Sequence, residues 1–162
     1  MVGSPFPPDE NREAKAYPAF REHPERKRLW TAGLVAAISA AVSNAVVFFI
    51  ARHLVGIQFI VPPRPGSEDF TEIGILEVVF ASVIPAFAAA ALVALLIKFF
   101  KKPFLIFKII AVVVFLFSLI GPLSLEVDRF TKAALSVMHV VAALTIVSVL
   151  LKYKNKAITH PS

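Results

Sequence analysis

LWTAGLVAAISAAVSNAVVFFI, residues Leu29–Ile50, decides the fold of this chain. The stretch holds no Asp, Glu, Lys or Arg, and at 1.5 Å per helical residue it reaches roughly 33 Å, enough to cross the hydrocarbon core of a bilayer. Three more runs of the same kind lie downstream: Val78–Ile97, Ile109–Leu125 and Ala133–Leu151. None is amphipathic on the 3.6-residue period. A soluble fold would have to hide all four inside a chain of 162 residues that is 57% hydrophobic, with a mean hydropathy of +0.76. Too little polar face is left to meet water. The chain reads as an all-α integral membrane protein, a four-transmembrane-helix bundle with spans at about 29–52, 73–100, 104–123 and 130–151.

Charge placement orients the bundle. The N-terminal tail carries Arg12, Lys15, Arg21, Arg26, Lys27 and Arg28. The loop after span two carries Lys98, Lys101, Lys102 and Lys108, and the C-terminal tail carries Lys152, Lys154 and Lys156. The opposite side has only Arg52, Arg64, Arg129 and Lys132. By the positive-inside rule both termini are cytoplasmic. The net charge of +6 is a topology signal on this reading, and no nucleic-acid partner is expected.

Residues 1–28 form a polar, proline-rich tail expected to be largely disordered. A short surface helix over Ala19–Arg28 is expected to be interrupted by Pro24. The tail has no apolar core of a signal peptide, so span one is expected to act as the targeting signal. Residues 152–162 form a basic tail. In the first outer loop, Ile57–Val61 is apolar enough to lie at the interface. Pro62, Pro63, Pro65 and Gly66 then oppose regular structure, and Glu68, Asp69 and Glu72 make the approach to span two acidic. Gly121-Pro122 is expected to end or kink span three. No internal repeat suggests an inverted-repeat transporter.

Small residues spaced for close helix approach mark the packing faces. Span one offers Gly33, Ala37, Ala40 and Asn44, flanked by Ala36, Ala41 and Ser43. Span two offers Ala81, Pro85, Ala88 and Ala89, and span four Ala142 and Ala143. Spans one, two and four are expected to make the tight contacts. Span three is bulky all round and is expected to face lipid most. Pro85 frees the carbonyl of Ala81, so a kink is expected there, with Ser82 or a neighbouring helix compensating.

Asn44, Ser82 and His139 each sit about eight residues, roughly 12 Å, below the outer ends of their spans. Glu77 lies about one and a half turns above Ser82. If these faces converge, Asn44, Glu77 and His139 line a polar pocket opening outward. Ionisable groups at this depth are costly, which makes His139 a candidate proton site. The same residues also read as interhelical ties, with Glu77 at the headgroup level beside Arg52 or Arg129.

Other chemistries fail on residue type or spacing. With no cysteine, disulfide exchange, iron–sulfur clusters and thiolate zinc sites are excluded. A bis-histidine haem would pair His139 with His53, which lies about 12 Å nearer the surface. A small four-helix multidrug antiporter would place an acid deep in span one, which has none. No cluster of His, Asp or Glu suggests a zinc site or paired-carboxylate catalysis. No enzyme activity, cofactor or metal is expected.

Trp30-Thr31-Ala32-Gly33-Leu34, the Ala-rich first span with Asn44 leading to Val46-Val47-Phe48-Phe49, the Pro62-Pro63 loop, and Ser136-Val137-Met138-His139-Val140-Val141-Ala142-Ala143 carry a resemblance. Together they are similar to a bacterial family of uncharacterised four-span membrane proteins with a Met-His pair in the last span. The resemblance covers about Leu29–Leu151 and implies four helices and a bacterial plasma membrane, with no known reaction or substrate. The expected function is non-enzymatic binding or structure. Its partners would be membrane lipids, a second copy or another membrane protein. The alternative is a transporter or channel component using the pocket around Asn44, Glu77 and His139.

Overall fold

The computed structural model describes the backbone of residues 22–62 and 69–159, with side chains from Arg28 to Lys152. The N-terminal tail before Glu22, with its expected disorder, the Pro63–Glu68 part of the first long loop and the end of the basic tail lie outside the described residues, whereas the last tail residues, Glu22–Arg28, are helical. Four helices follow one another: α1 (Glu22–Phe49), α2 (Ile75–Phe99), α3 (Pro103–Ser124) and α4 (Arg129–Thr159). A π-helical turn, Ile50–Leu54, extends α1, and a small hairpin pairs β1 (Ile60–Val61) antiparallel with β2 (Thr71–Glu72). All four helices are long and apolar enough to cross a membrane. The shortest such segment, 22 residues, spans roughly 33 Å.

Local chemistry sets the helix boundaries. Pro24 does not interrupt α1, contrary to expectation. It sits in the first turn, where backbone N–H groups have no intrahelical acceptor to lose. The π-helical turn ends where Gly56 adopts a φ of 76°, and the Ile57 N–H then returns to the Ala51 carbonyl at 3.0 Å. Pro103 opens α3 at a position that needs no donor. Gly121-Pro122 does not stop α3, which continues to Ser124. The Ser124 hydroxyl donates to the Gly121 carbonyl at 3.0 Å in that final turn. Asp128 caps α4, its carboxylate accepting the Phe130 N–H at 2.8 Å and the Thr131 N–H at 3.0 Å.

Two apolar clusters show that successive helices alternate in direction. Leu29, Leu96, Phe107 and Leu150 meet in the cluster nearer the chain termini. Phe48, Val78, Ala134 and Met138 meet in the cluster at the opposite, distal end. The helices form a ring in which α1 packs extensively on α2 and on α4, α3 packs on α4 and more lightly on α2, and α2 and α4 scarcely touch. The expected mutual packing of spans one, two and four therefore holds only through α1. As expected, α3 is the least buried helix. Only Phe107 and Pro122 of its residues are buried, because Val112, Val113, Val114, Leu116 and Phe117 point outward.

The face of α1 agrees with its sequence: Ala36, Ala37, Ala40 and Asn44 are all buried. A methyl added at Gly33 would sit 2.8 Å from the Ala90 Cβ, so the two backbones approach closely at that level. On α2 the packing face is rotated from the expected one. Val78, Ser82, Ala86, Ala90 and Val93 are buried, whereas Ala81, Pro85 and Ala88 are exposed. Helix α2 is continuous through Pro85.

Candidate functional site

The polar centre of the bundle lies between α1 and α2. The small residues of α1 bring the neighbouring backbone close, and Asn44 and Ser82 meet at the distal end of that contact. Both are buried, at 5% and 0% exposure. The Asn44 amide donates from Nδ2 to Ser82 Oγ at 2.9 Å, and the Ser82 hydroxyl donates to the Val78 carbonyl at 2.8 Å. An amide–hydroxyl–carbonyl relay thus joins the two helices. Ser82 both accepts and donates, so its one proton is used. Asn44 Oδ1 is buried and has no partner.

Of the four polar residues expected to converge, the structure joins only these two. The Glu77 side chain is exposed and turns back along its own helix, with Oε2 accepting the Gly74 N–H at 3.0 Å. It completes the first turn of α2, as an acid three residues inside a helix start does. The half-buried His139 ring makes its Nδ1 contact to the Leu135 carbonyl at 2.9 Å. A carbonyl only accepts, so Nδ1 carries a proton, and in the neutral ring Nε2 keeps the lone pair. Among the described residues no hydrogen bond joins His139 to Asn44 or Ser82. The Ser82 hydroxyl bonds the Val78 carbonyl and not the Ala81 carbonyl freed by Pro85.

The first long loop folds onto the distal end of the bundle. Phe59 is fully buried there and stacks on Phe48 with ring centroids 4.9 Å apart. Ile57, Ile73 and Ile75 pack around the same cluster. Arg52 bridges from the π-helical turn to Glu72 on β2 at 2.6 Å, and its guanidinium lies 5.9 Å from the centre of the Phe48 ring. Arg52 therefore pairs with Glu72 and not with Glu77. The Thr131 hydroxyl donates to the Gln58 carbonyl at 3.3 Å, tying the loop to the start of α4. A cleft of about 420 Å³ runs between loop and helix, lined in part by Ile57, Gln58, Asp128 and Phe130. The Thr131 hydroxyl, whose one proton can turn to the Asp128 carboxylate instead of the Gln58 carbonyl, and then the amides of Thr131 and Phe130 hold the Asp128 carboxyl below its ordinary range.

Phe59, Thr131 and the Arg52–Glu72 pair were not among the expected site residues. Phe59 left a signal in the alternation of Ile57-Gln58-Phe59-Ile60, a strand-like pattern with one inward face. The ion pair left none, because its partners are brought together by the hairpin. Among the described residues no group of three His, Asp or Glu is placed to hold a metal.

A family model described as a family of unknown function, DUF6069, matches residues 24–156. No curated protein matches the chain, and no solved structure does.

Proposed function

The chain belongs to the family of unknown function DUF6069, and from that premise we propose that it is a non-enzymatic membrane protein that binds a lipid or protein partner. Its termini face the cytoplasm of a bacterium and its four helices sit in the plasma membrane. The asymmetric placement of lysine and arginine supports that orientation. The observation that carries the reading is the Asn44–Ser82–Val78 relay, which uses the buried polar side chains of α1 and α2 to hold the helices together. A bonded pair of this kind is worth about 0.6 kcal/mol on average in a membrane. It acts as a register pin more than as a source of stability.

A second reading, a small transporter or channel component, rests on the unpartnered Asn44 Oδ1, an acceptor that a passing donor would satisfy. Proton flux separates the two. In vesicles carrying a pH gradient and a trapped pH dye, the protein is expected to dissipate the gradient no faster than protein-free vesicles. Protein-dependent dissipation that vanishes in folded His139→Leu would instead establish the transporter. The chain has no cysteine, so a single Ser4→Cys or Ser162→Cys reports orientation by its reaction with a membrane-impermeant maleimide. Labelling of either tail from the outside would overturn the proposed topology.

A further inference from the structure

The turn between α2 and α3 gathers four exposed lysines. Lys98 lies in the last turn of α2, Lys101 and Lys102 form the connection, and Lys108 stands in the second turn of α3. Two exposed aromatic rings, Phe99 and Phe100, sit among them, and the Lys98 ammonium lies 5.5 Å from the Phe99 ring centre. Among the described side chains no carboxylate opposes this charge. The acids with described side chains are Asp69, Glu72, Glu77, Glu126 and Asp128, and all of them sit at the distal end of the bundle. The exposed flank of α3 next to the turn is apolar, with Leu105 and Ile109 pointing outward. The stem of Lys108 can lie along that flank while its ammonium rises to the level of Lys101 and Lys102.

A cationic rim with interfacial aromatics above an apolar flank matches one chemistry: a phosphate headgroup whose acyl chains run along the helix. We propose that the α2–α3 turn binds the headgroup of an anionic phospholipid in the leaflet on the side of the termini. Lys98, Lys101 and Lys102 hold the phosphate, Phe99 and Phe100 sit at the glycerol level, and Lys108 sets the depth. The proposal rests on the membrane reading above. It adds a lipid class and a location, which that reading leaves open.

Native mass spectrometry of the full chain in detergent, offered equal phosphatidylglycerol and phosphatidylcholine, tests it. The parent protein is expected to retain phosphatidylglycerol selectively, with retention falling as salt rises. A lysine near a surface contributes about fivefold, so Lys98→Gln/Lys101→Gln/Lys102→Gln should weaken retention on the order of a hundredfold. The distal Arg129→Gln/Lys132→Gln variant should match the parent. Fluorescence of Trp30, the single tryptophan, verifies that each variant is folded. Equal retention of the two lipids, or a triple variant that binds like the parent, overturns the proposal and leaves the membrane reading standing. Displacement of the lipid by millimolar inorganic phosphate overturns it in favour of a soluble anion. Recovery of the folded chain in buffer without detergent overturns both.

Discussion

Gly33→Ala is the sharpest test of the α1–α2 contact. The added methyl would lie 2.8 Å from the Ala90 Cβ, whereas carbon atoms rest about 3.5–4.0 Å apart. The helices must part by about 1 Å at that level or tilt about it. Overpacking of this kind costs about 1–3 kcal/mol, offset by about 0.5–1 kcal/mol because alanine suits a helix better than glycine. A net loss of about 0.5–2 kcal/mol is expected, read as a lower midpoint for loss of Trp30 fluorescence on titration from mild detergent into SDS. The atom in the way is a single methyl group, so Ala90→Gly should rescue. The double variant Gly33→Ala/Ala90→Gly exchanges one glycine for another and is expected within about 0.5 kcal/mol of the parent, far above the sum of the single losses. A Gly33→Ala chain as stable as the parent would refute the close approach. So would a double variant no better than additive.

The polar relay predicts an order of effects. Ser82→Ala leaves both ends of the buried Asn44 amide without a partner and should cost about 0.6–1.7 kcal/mol. Asn44→Leu, which removes the orphaned acceptor along with the bond, should cost less in the same SDS titration, and the reverse order would show that Asn44 Oδ1 has a donor. Asp128 gives a pH signature. Its folded carboxyl titrates below the ordinary carboxylate value, so its cap stabilises α4 above about pH 4 and is lost as pH falls through the lowered value. Hydrogen exchange at the Phe130 and Thr131 amides should accelerate in acid beyond the chemical trend in the parent but not in Asp128→Ala.

The number of helices and the exposure of α3 were legible because both follow from composition along the chain. Four apolar runs need four helices, and a helix with Val112, Val113, Val114, Phe115 and Leu116 in sequence has no slim side to offer a neighbour. The α1 face was legible for the same reason, since Gly33, Ala36, Ala37 and Ala40 share one stripe. Helix α2 was not. Ala86 and Ala88–Ala91 are small around most of the circumference, so local spacing cannot choose a face, and the choice falls to the meeting of Ser82 with Asn44 and of Ala90 with Gly33. Glu77 shows the opposite error. The spacing of Gly74 and Glu77 already spelled a helix start, a local role that competes with any role across the bundle. The grouping of Arg52, Phe59, Glu72 and Thr131 at the distal end depends on how a long loop folds back, and its only trace was the alternation around Phe59.

The ring order of the helices has a consequence for biogenesis. Helix α1 finds one principal neighbour in α2, the next helix made, and the other in α4, the last. As the chain emerges from its N-terminus, the α1–α2 pair can form at once, while the flank of α1 destined for α4 stays uncovered until about a hundred further residues have been synthesised. Helix α3 can rest lightly on α2 as soon as it is made, but its main attachment must await α4. On the proposed membrane reading, release of a chain truncated before Arg129 would strand that flank in the bilayer, a ready target for membrane quality control.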